Sequence, residues 1–501
     1  MSFEQAVHAR AIRLGTLSLE MCAESGSGHP TSAMSIGHLV SVLMYRTMRW
    51  LPDQPNNPTS DRLVLSEGHG VPAVYAAMAD IGAVVDWNGE PVKLTPEHLK
   101  TLREDASPLD GHPNPCEGVT FFDAATGSLG QGLSVAAGLG VAAKADGLDR
   151  KIYCIIGDGE AREGQITEAL DFIMDHALAN TLPIFNCNNY GQAGEVSDQQ
   201  SPEKMTAKLE AFGFEVATID GHDPTAIMEA FDRFNTPERT QPMAIVAKTI
   251  KGWGAPSMQG GNWHGKPANK EEVGAVVAEL QQSGLTLTSS LATVPISIPV
   301  PPLASEQVSS SCDPMSFREA MEKWDMTSVL QTGRLATRRA FGIALRALGH
   351  TNKNVWSVDA DVSNSTFSNM FAGDEECKDR FVECKIAEQN MYSVGAGLSA
   401  AGKIPFCSTF SKFITRGYDQ IEMAINSGAN IKIVGSHSGI SLAADGPSQM
   451  SLPDVAWFRS FGTMKDHHGN PGCYVLQPAD AWAAYGLTLA MAEHTGCSYL
   501  R

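Results

Sequence analysis

The sequence is short of basic charge. Thirty-seven Lys and Arg residues stand against 56 Asp and Glu, a formal net charge of −19. Nucleic acid and anionic membrane surfaces both need clustered cations, so neither is expected as a main partner. A small anionic substrate needs only a local basic pocket and stays admissible. Long apolar runs are missing too: no stretch of about 18 apolar residues is present to cross a bilayer. The N-terminus carries Glu4 and Glu20 and no apolar core of about 7–15 residues, so no secretory signal is read there. Ten cysteines are scattered without a C-x-x-C pair or zinc-type spacing. Cys154, Cys187 and Cys407 lie in apolar or strand-like runs and read as small buried residues of a reducing cytoplasm. No Gly-Lys-Ser/Thr follows a glycine loop and no two histidines have H-x-x-x-H spacing, so a Walker loop and that zinc motif are both absent.

A chain of 501 residues is too long for one ordinary core and predicts two or more domains. Composition changes at about 283–316, where "SGLTLTSSLATVPISIPVPPLASEQVSSSC" is rich in Ser, Thr and Pro and reads as an extended linker. Before it, "KIYCII" (151–156) is a β-rich run. Apolar residues at 166, 169, 170, 173, 174, 177 and 178 then form a helical face, and "LPIFNCN" (182–188) is the next strand. That is a βαβ unit. "FEVATID", "PTAIMEAFDRF" and "MAIVAKT" repeat the alternation, and "NVWSVDAD", "IPFCSTF" and "NIKIVGSHSG" continue it after the linker. The expected fold class is α/β, two domains with mainly parallel sheets flanked by helices. Ligands of such sheets bind beyond the carboxyl ends of the strands.

"CIIGDGEAREGQ" (154–165) places Asp158 between two glycines at the end of a strand. An ordinary turn explains it. So does a ligand site, because Asn188 ends the next strand and one crossover could bring both to the same sheet edge. A carboxylate, an amide oxygen and a backbone carbonyl suit a hard divalent cation shared with phosphates. Gly157 and Gly159 would then let backbone N–H groups approach those phosphates. "ATGSLGQG" (125–132) is either tight glycine packing or an anion-binding nest at a helix N-terminus. His29, His69, His112, His264 and His437 all lie in Gly-bordered, turn-rich contexts. Hydrogen bonding and proton transfer to a polyhydroxy substrate suit them better than metal ligation. Glu388 closes the strand-like "RFVECKIAEQN" as a cap, a surface charge or a buried acid; spacing does not choose.

These segments resemble a known family. "GDGE" followed after 27 residues by "NNYGQ" is similar to the thiamine-diphosphate motif. "GSGHPTS", "DGHP", "ATGSLGQGL", "AKTIKG" and "WHGKP" resemble the first domain of a transketolase. "ATRRAFG", "NSTFS", "ECKIAEQNM", "PFCSTFSKFITRGYDQ" and "GSHSGISLAADGPSQM" resemble its second, nearer the animal-type pattern. The resemblance implies a diphosphate-binding domain at 1–282, a Ser/Pro-rich linker at 283–330 and a pyrimidine-binding domain at 331–501. It implies thiamine diphosphate with Mg²⁺, or another divalent cation such as Ca²⁺, held by Asp158, Asn188 and the Tyr190 carbonyl. Ser32, His69, Gly127, Ser128, Leu129, Gly159, Asn188, Lys251, His264, Phe410, Phe413 and Gln449 fall on cofactor positions. Glu388 falls on the glutamate that bonds N1′ of the aminopyrimidine. His29, His112, His264 and His437 would meet substrate hydroxyls, with His29, His264 and His437 joining Glu388 in catalysis. Arg338 and Ser365 would hold the sugar phosphate, and Asp445 a donor hydroxyl. The implied activity is transfer of a two-carbon ketol unit between sugar phosphates in the pentose phosphate pathway, by a cytoplasmic homodimer with sites at the subunit interface.

The chain departs from the pattern in two places. Glu67 of "SEGHG" stands where a Lys suits the animal-type pattern. The sequence stops at "GCSYLR", in the last strand region of the second domain, before a third domain and a further phosphate-binding arginine. A fragment or a truncated product of weakened activity is expected. A related thiamine enzyme, such as dihydroxyacetone or deoxyxylulose-phosphate synthase, and a non-catalytic remnant are the alternatives.

Overall fold

The computed structural model describes residues 1–237, 239–294, 297–302 and 313–501. The chain divides into two compact units, Met1–Gly140 with Leu148–Ala304 and Val141–Gly147 with Ser305–Arg501.

The first unit contains strands β1 (Arg62–Leu65), β2 (Val84–Trp87), β3 (Glu90–Lys93), β4 (Ile152–Gly157), β5 (Thr181–Cys187), β6 (Glu215–Asp220) and β7 (Met243–Lys248). Five of them form a parallel sheet in the order β1-β4-β5-β7-β6. β4 and β5 are buried at every position, which is why they read as continuous apolar runs rather than alternating ones. β2 and β3 form a separate antiparallel hairpin turning at Asn88–Gly89, both with positive φ, the Asn-Gly pair that a tight primed turn selects. The helix Phe3–Ser25 buries Val7, Leu14, Leu17 and Met21 in the same cluster as Tyr153, Ile155 and Ile184 from the sheet. Each such side chain contributes about 1.5–3 kcal/mol on burial.

The second unit contains β8 (Val355–Asp359), β9 (Phe381–Glu383), β10 (Ile404–Phe410), β11 (Lys432–Ser436), β12 (Cys473–Leu476) and β13 (Cys497–Leu500). They form one parallel sheet in the order β12-β13-β11-β10-β8-β9. Phe341, Phe371, Phe406 and Leu500 are among its core residues.

Two expectations are corrected by the structure, and one segment gains detail. The helical face read as far as residue 178 ends earlier, in the helix Gly164–Asp175. Ala177 takes a left-handed conformation, which ends the helix and turns Leu178 into the core ahead of β5. Glu388 does not close a strand. β9 ends at Glu383, Lys385 turns with positive φ, and Glu388 is the first residue of the helix Glu388–Ala400. The segment 283–330 is ordered on both sides of residues 303–312, which lie outside the described residues. The helix Val273–Leu285 runs into it. Its extended part is tied to the first unit by Arg10 Nη2 donating to the Val294 carbonyl (2.6 Å), Trp50 N to Pro299 O (3.1 Å) and Thr59 Oγ1 to Pro302 O (2.6 Å). Its last part forms the helices Phe317–Lys323, opened by a Ser316–Glu319 capping box, and Thr327–Gln331. In the extended part, two side-chain donors and one backbone N–H satisfy carbonyls of the segment without any helical periodicity in the sequence.

Eight of the nine described cysteines are buried. Cys312 lies outside the described residues. No helix among the described residues is long and apolar enough to cross a membrane.

Ile184 is fully buried in the middle of β5. Ile184→Ala is expected to destabilise the first unit by about 2–5 kcal/mol, read from the urea midpoint of the full chain.

Candidate functional site

The parallel register sets Gly157 of β4 against Asn186 of β5, so the residues beyond both strands emerge at one edge. Asp158 is 2% exposed. Its Oδ1 accepts from Gly159 N (2.7 Å) and its Oδ2 from Asn189 N (2.6 Å), across the gap between the strands. Asn188 Oδ1 accepts from Tyr190 N (3.1 Å), and Asn189 turns with positive φ. Asp158, Asn188 and Tyr190 are therefore consecutive parts of one edge. Burial pushes the Asp158 carboxyl up from its usual 3.8 to about 6, against the pull of its backbone donors and Lys251.

The Gly-rich turn holds one of the chain's own carboxylates. Glu160, also buried, accepts from the Ser66 hydroxyl, Gly130 N (2.8 Å) and Gly157 N (3.0 Å). Gly132 N donates to Ser66 Oγ (3.1 Å). Gly157 N and Gly159 N are themselves bonded to carboxylates of the same segment. Gly127 has φ 122°, and a Cβ there would come within 2.6 Å of the His112 ring, so only glycine lets that ring lie on the turn. Leu129 is exposed on the turn, and Ser128 is half-buried.

Four of the expected histidines gather in this unit. His29, His69 and His264 have ring centroids 5.1 Å apart in each pairing, and His112 is 6.1 Å from His29. Burial lowers all four, His29 to about 3 and His264 to about 4, so they are neutral imidazoles at neutral pH. His29 Nδ1 is buried with no hydrogen-bond partner among the described residues. Lys251, 1% exposed, donates from Nζ to Ser32 Oγ (3.2 Å) and to His264 Nδ1 (2.9 Å). That bond places the His264 proton on Nε2.

Glu67 lies in the same cluster. Its carboxylate accepts from Asn186 Nδ2 (2.9 and 3.2 Å), and burial, then Glu160, pushes it well above the carboxylate range. Sequence reasoning missed Asn186 and Glu160. Asn186 is two residues before Asn188, a same-face spacing on a strand that could have found it. A patch with Asp158, Glu67 and Glu160 buried around one lysine holds hard oxygen donors and an excess of acid, and a divalent cation fits that set.

The second unit carries the other group. Glu388, 4% exposed at its helix start, accepts from Arg416 Nη1 (2.7 Å). The Arg416 guanidinium lies over Phe413 (5.2 Å), Phe413 stacks on Phe410 (5.1 Å, 12°), and Phe410 meets the His437 ring (4.2 Å). Arg416 carries no signal in sequence beyond its helical-turn distance from Phe413. His437 is held with positive φ and bonded to Ser436 Oγ (2.8 Å); burial, then Arg338, lowers its pKa. A cavity of about 310 Å³ is lined by Arg338, Ser436, His437, Gln477 and Arg501. Arg338 donates to the Ser365 carbonyl (2.7 Å), so Ser365 anchors the guanidinium through its backbone. Asp445 is exposed on the turn Ala443–Asp445 and does not line that cavity; Gln449, half-buried, bonds through its N–H to Gly446 O (3.1 Å).

Residues 4–286 match the description "Transketolase, thiamine diphosphate binding domain", and residues 333–501 match "Transketolase, pyrimidine binding domain". The chain belongs to the transketolase family. Mouse transketolase-like protein 2 is 37% identical over 504 residues, 99% of this chain and 74% of that protein. Human transketolase is 37% identical over 500 residues, with the same coverage of each chain. The solved transketolase of Campylobacter jejuni superposes with a TM-score of 0.77 at 23% identity, over 99% of this chain and 78% of that one, a likeness of fold. The two parallel α/β units are the two transketolase domains that the sequence resembles.

In this family member the Asp158 charge works against folding. The folded carboxyl binds its proton more tightly than the unfolded one, so Asp158 costs stability above about pH 6, and that cost disappears as pH falls toward 3.8. In chelator, Asp158→Asn is expected to melt at a higher temperature than the parent above about pH 6 and to lose that advantage as the pH falls toward about 4. A turn-capping role alone gives a variant that melts lower at every pH.

Proposed function

We propose that the chain is a thiamine-diphosphate-dependent transketolase. It would move a two-carbon ketol unit from a ketose phosphate of the xylulose 5-phosphate class to an aldose phosphate of the ribose 5-phosphate or erythrose 4-phosphate class, in the pentose phosphate pathway of the cytoplasm. The observation that carries the reading is the sheet edge where Asp158, Asn188 and Tyr190 meet beside four neutral imidazoles and Lys251.

Asp158, Asn188 and the Tyr190 carbonyl would hold Mg²⁺, or another divalent cation such as Ca²⁺. Lys251, His69, His264, Ser32 and the Gly127–Leu129 and Gly159 turns would meet the diphosphate side. Phe410, Phe413 and Gln449 would flank the pyrimidine. When bound, thiamine diphosphate supplies carbanion stabilisation that no side chain here offers. Glu388 would hold a proton at the pyrimidine N1′, and Arg416 orients it. His29, His112 and His437 are neutral and can donate or accept, and neutral His264, whose Nδ1 accepts from Lys251, can donate from Nε2, which suits proton movement at substrate hydroxyls. Arg338, fixed by the Ser365 backbone and by Phe367 under its plane (5.1 Å), would take the sugar phosphate, and Asp445 a donor hydroxyl. A homodimer with sites at the subunit interface is part of the reading.

The test is ketol transfer from xylulose 5-phosphate to ribose 5-phosphate with Mg²⁺ and thiamine diphosphate. Sedoheptulose 7-phosphate is the expected product. Glu388→Gln is expected to lower kcat by about 10²–10⁴ while Mg²⁺-dependent cofactor binding persists. Absence of transfer by a parent that binds cofactor favours the non-catalytic reading, which the transketolase-like relatives keep open. Product formed only with formaldehyde or pyruvate as co-substrate favours a related thiamine enzyme.

A further inference from the structure

Three histidines outside that cluster form a chain behind it. His222 Nε2 accepts from the backbone N–H of Ile250 (2.9 Å). Its proton therefore sits on Nδ1, which is 3.3 Å from His38 Nδ1. His38 then accepts at Nδ1 and carries its proton on Nε2, 3.0 Å from His8 Nδ1. One backbone N–H thus sets the tautomer of all three rings. His38 is fully buried, and His8 and His222 both line a surface cavity with Glu4, Asp220 and Asp223.

The His222 end of this chain holds the residue next to Lys251. Ile250 is held by His222. Gly252, on the other side, donates from its N–H to the Thr31 carbonyl (3.0 Å), next to Ser32. Trp253 stacks on His222 (5.1 Å, 21°) and meets His38 edge-on (4.4 Å). The backbone on both sides of Lys251 is therefore pinned, and its ammonium reaches Ser32 and His264 from a fixed base.

We propose that His222, backed by His38 and His8, is a positioning residue for the Lys251 loop, and that the bare Nε2 it presents to Ile250 is what keeps Lys251 in the site. A proton added at His8 Nδ1 would face the His38 Nε2–H. It is accommodated only if His38 moves its proton to Nδ1 and His222 moves its own to Nε2, where it meets the Ile250 N–H and breaks that bond. Acid, whether it enters at His8 or at His222 itself, is thus felt as a lost acceptor at the loop. The groups facing the chain are Glu4 from the first helix, Asp220 at the end of β6 and Asp223 just beyond it; Asp223 and Glu4 favour a charged His8, while burial opposes charge at all three rings.

The inference rests on reading Lys251 as a cofactor contact, but its first readout does not. In the full chain, hydrogen exchange at the Ile250 amide is compared for the parent, His222→Phe and His222→Gln. Phe keeps a ring against Trp253 without an acceptor; Gln keeps an acceptor near the Nε2 position without a titrating ring. Phe is expected to speed Ile250 exchange about tenfold and to weaken Mg²⁺–thiamine diphosphate binding about fivefold, and Gln to restore both, with similar melting temperatures. As pH falls, Ile250 protection corrected for intrinsic exchange is expected to drop in the parent and to hold in Gln. Parent-like protection in Phe, or a Gln variant as open as Phe, overturns the proposal. If the parent binds no cofactor, the function proposed above fails, and amide exchange still decides this inference.

Discussion

The parallel pairing of β4 with β5, carried as far as Gly157 against Asn186, is the constraint on which the first unit's site depends. It makes two chain segments about thirty residues apart leave the sheet side by side. Asp158 can then accept from Asn189 on the neighbouring segment, and Asn188 can accept from Tyr190. A one-residue slip would turn Asn186 and Asn188 to the other face together. Both strands are buried on both sides, so their apolar side chains hold the register.

The same edge concentrates acid in a place that penalises it. Glu67, Asp158 and Glu160 are buried together, and burial raises all three. Glu160 is satisfied by the Gly-rich turn and Glu67 by Asn186, which leaves Asp158 with backbone donors and a distant Lys251. The histidines beside them are held neutral by the same burial. An arrangement that works against the folded state in this way is what a binding edge looks like before its ligand contributes.

The alternation of strands and helices was legible because parallel strands are continuous apolar runs, and the order of the motifs carried the pairing of Asp158 with Asn188. The destination of the glycine loop was not legible. A nest of N–H groups reads the same whether it binds a phosphate or Glu160, and only the fold brings Glu160 to it. The role of Arg416 was hidden because a single turn of chain places it on both Glu388 and Phe413. The fastening of the segment at 283–330 was not legible for a different reason. Prolines with free carbonyls look like linker, yet Trp50 N and Thr59 Oγ1 use those carbonyls to fasten it. His8, His38 and His222 were passed over because they are distant in sequence and border no common motif.

The most direct test of the edge is whether it immobilises a divalent cation together with thiamine diphosphate. Mn²⁺ in place of Mg²⁺ makes that visible by electron paramagnetic resonance. The account predicts that thiamine diphosphate removes free Mn²⁺ signal to a limit of one ion per chain, and that Asp158→Asn, still folded, does not. Free Mn²⁺ unchanged by cofactor, or equal uptake in Asp158→Asn, would contradict it.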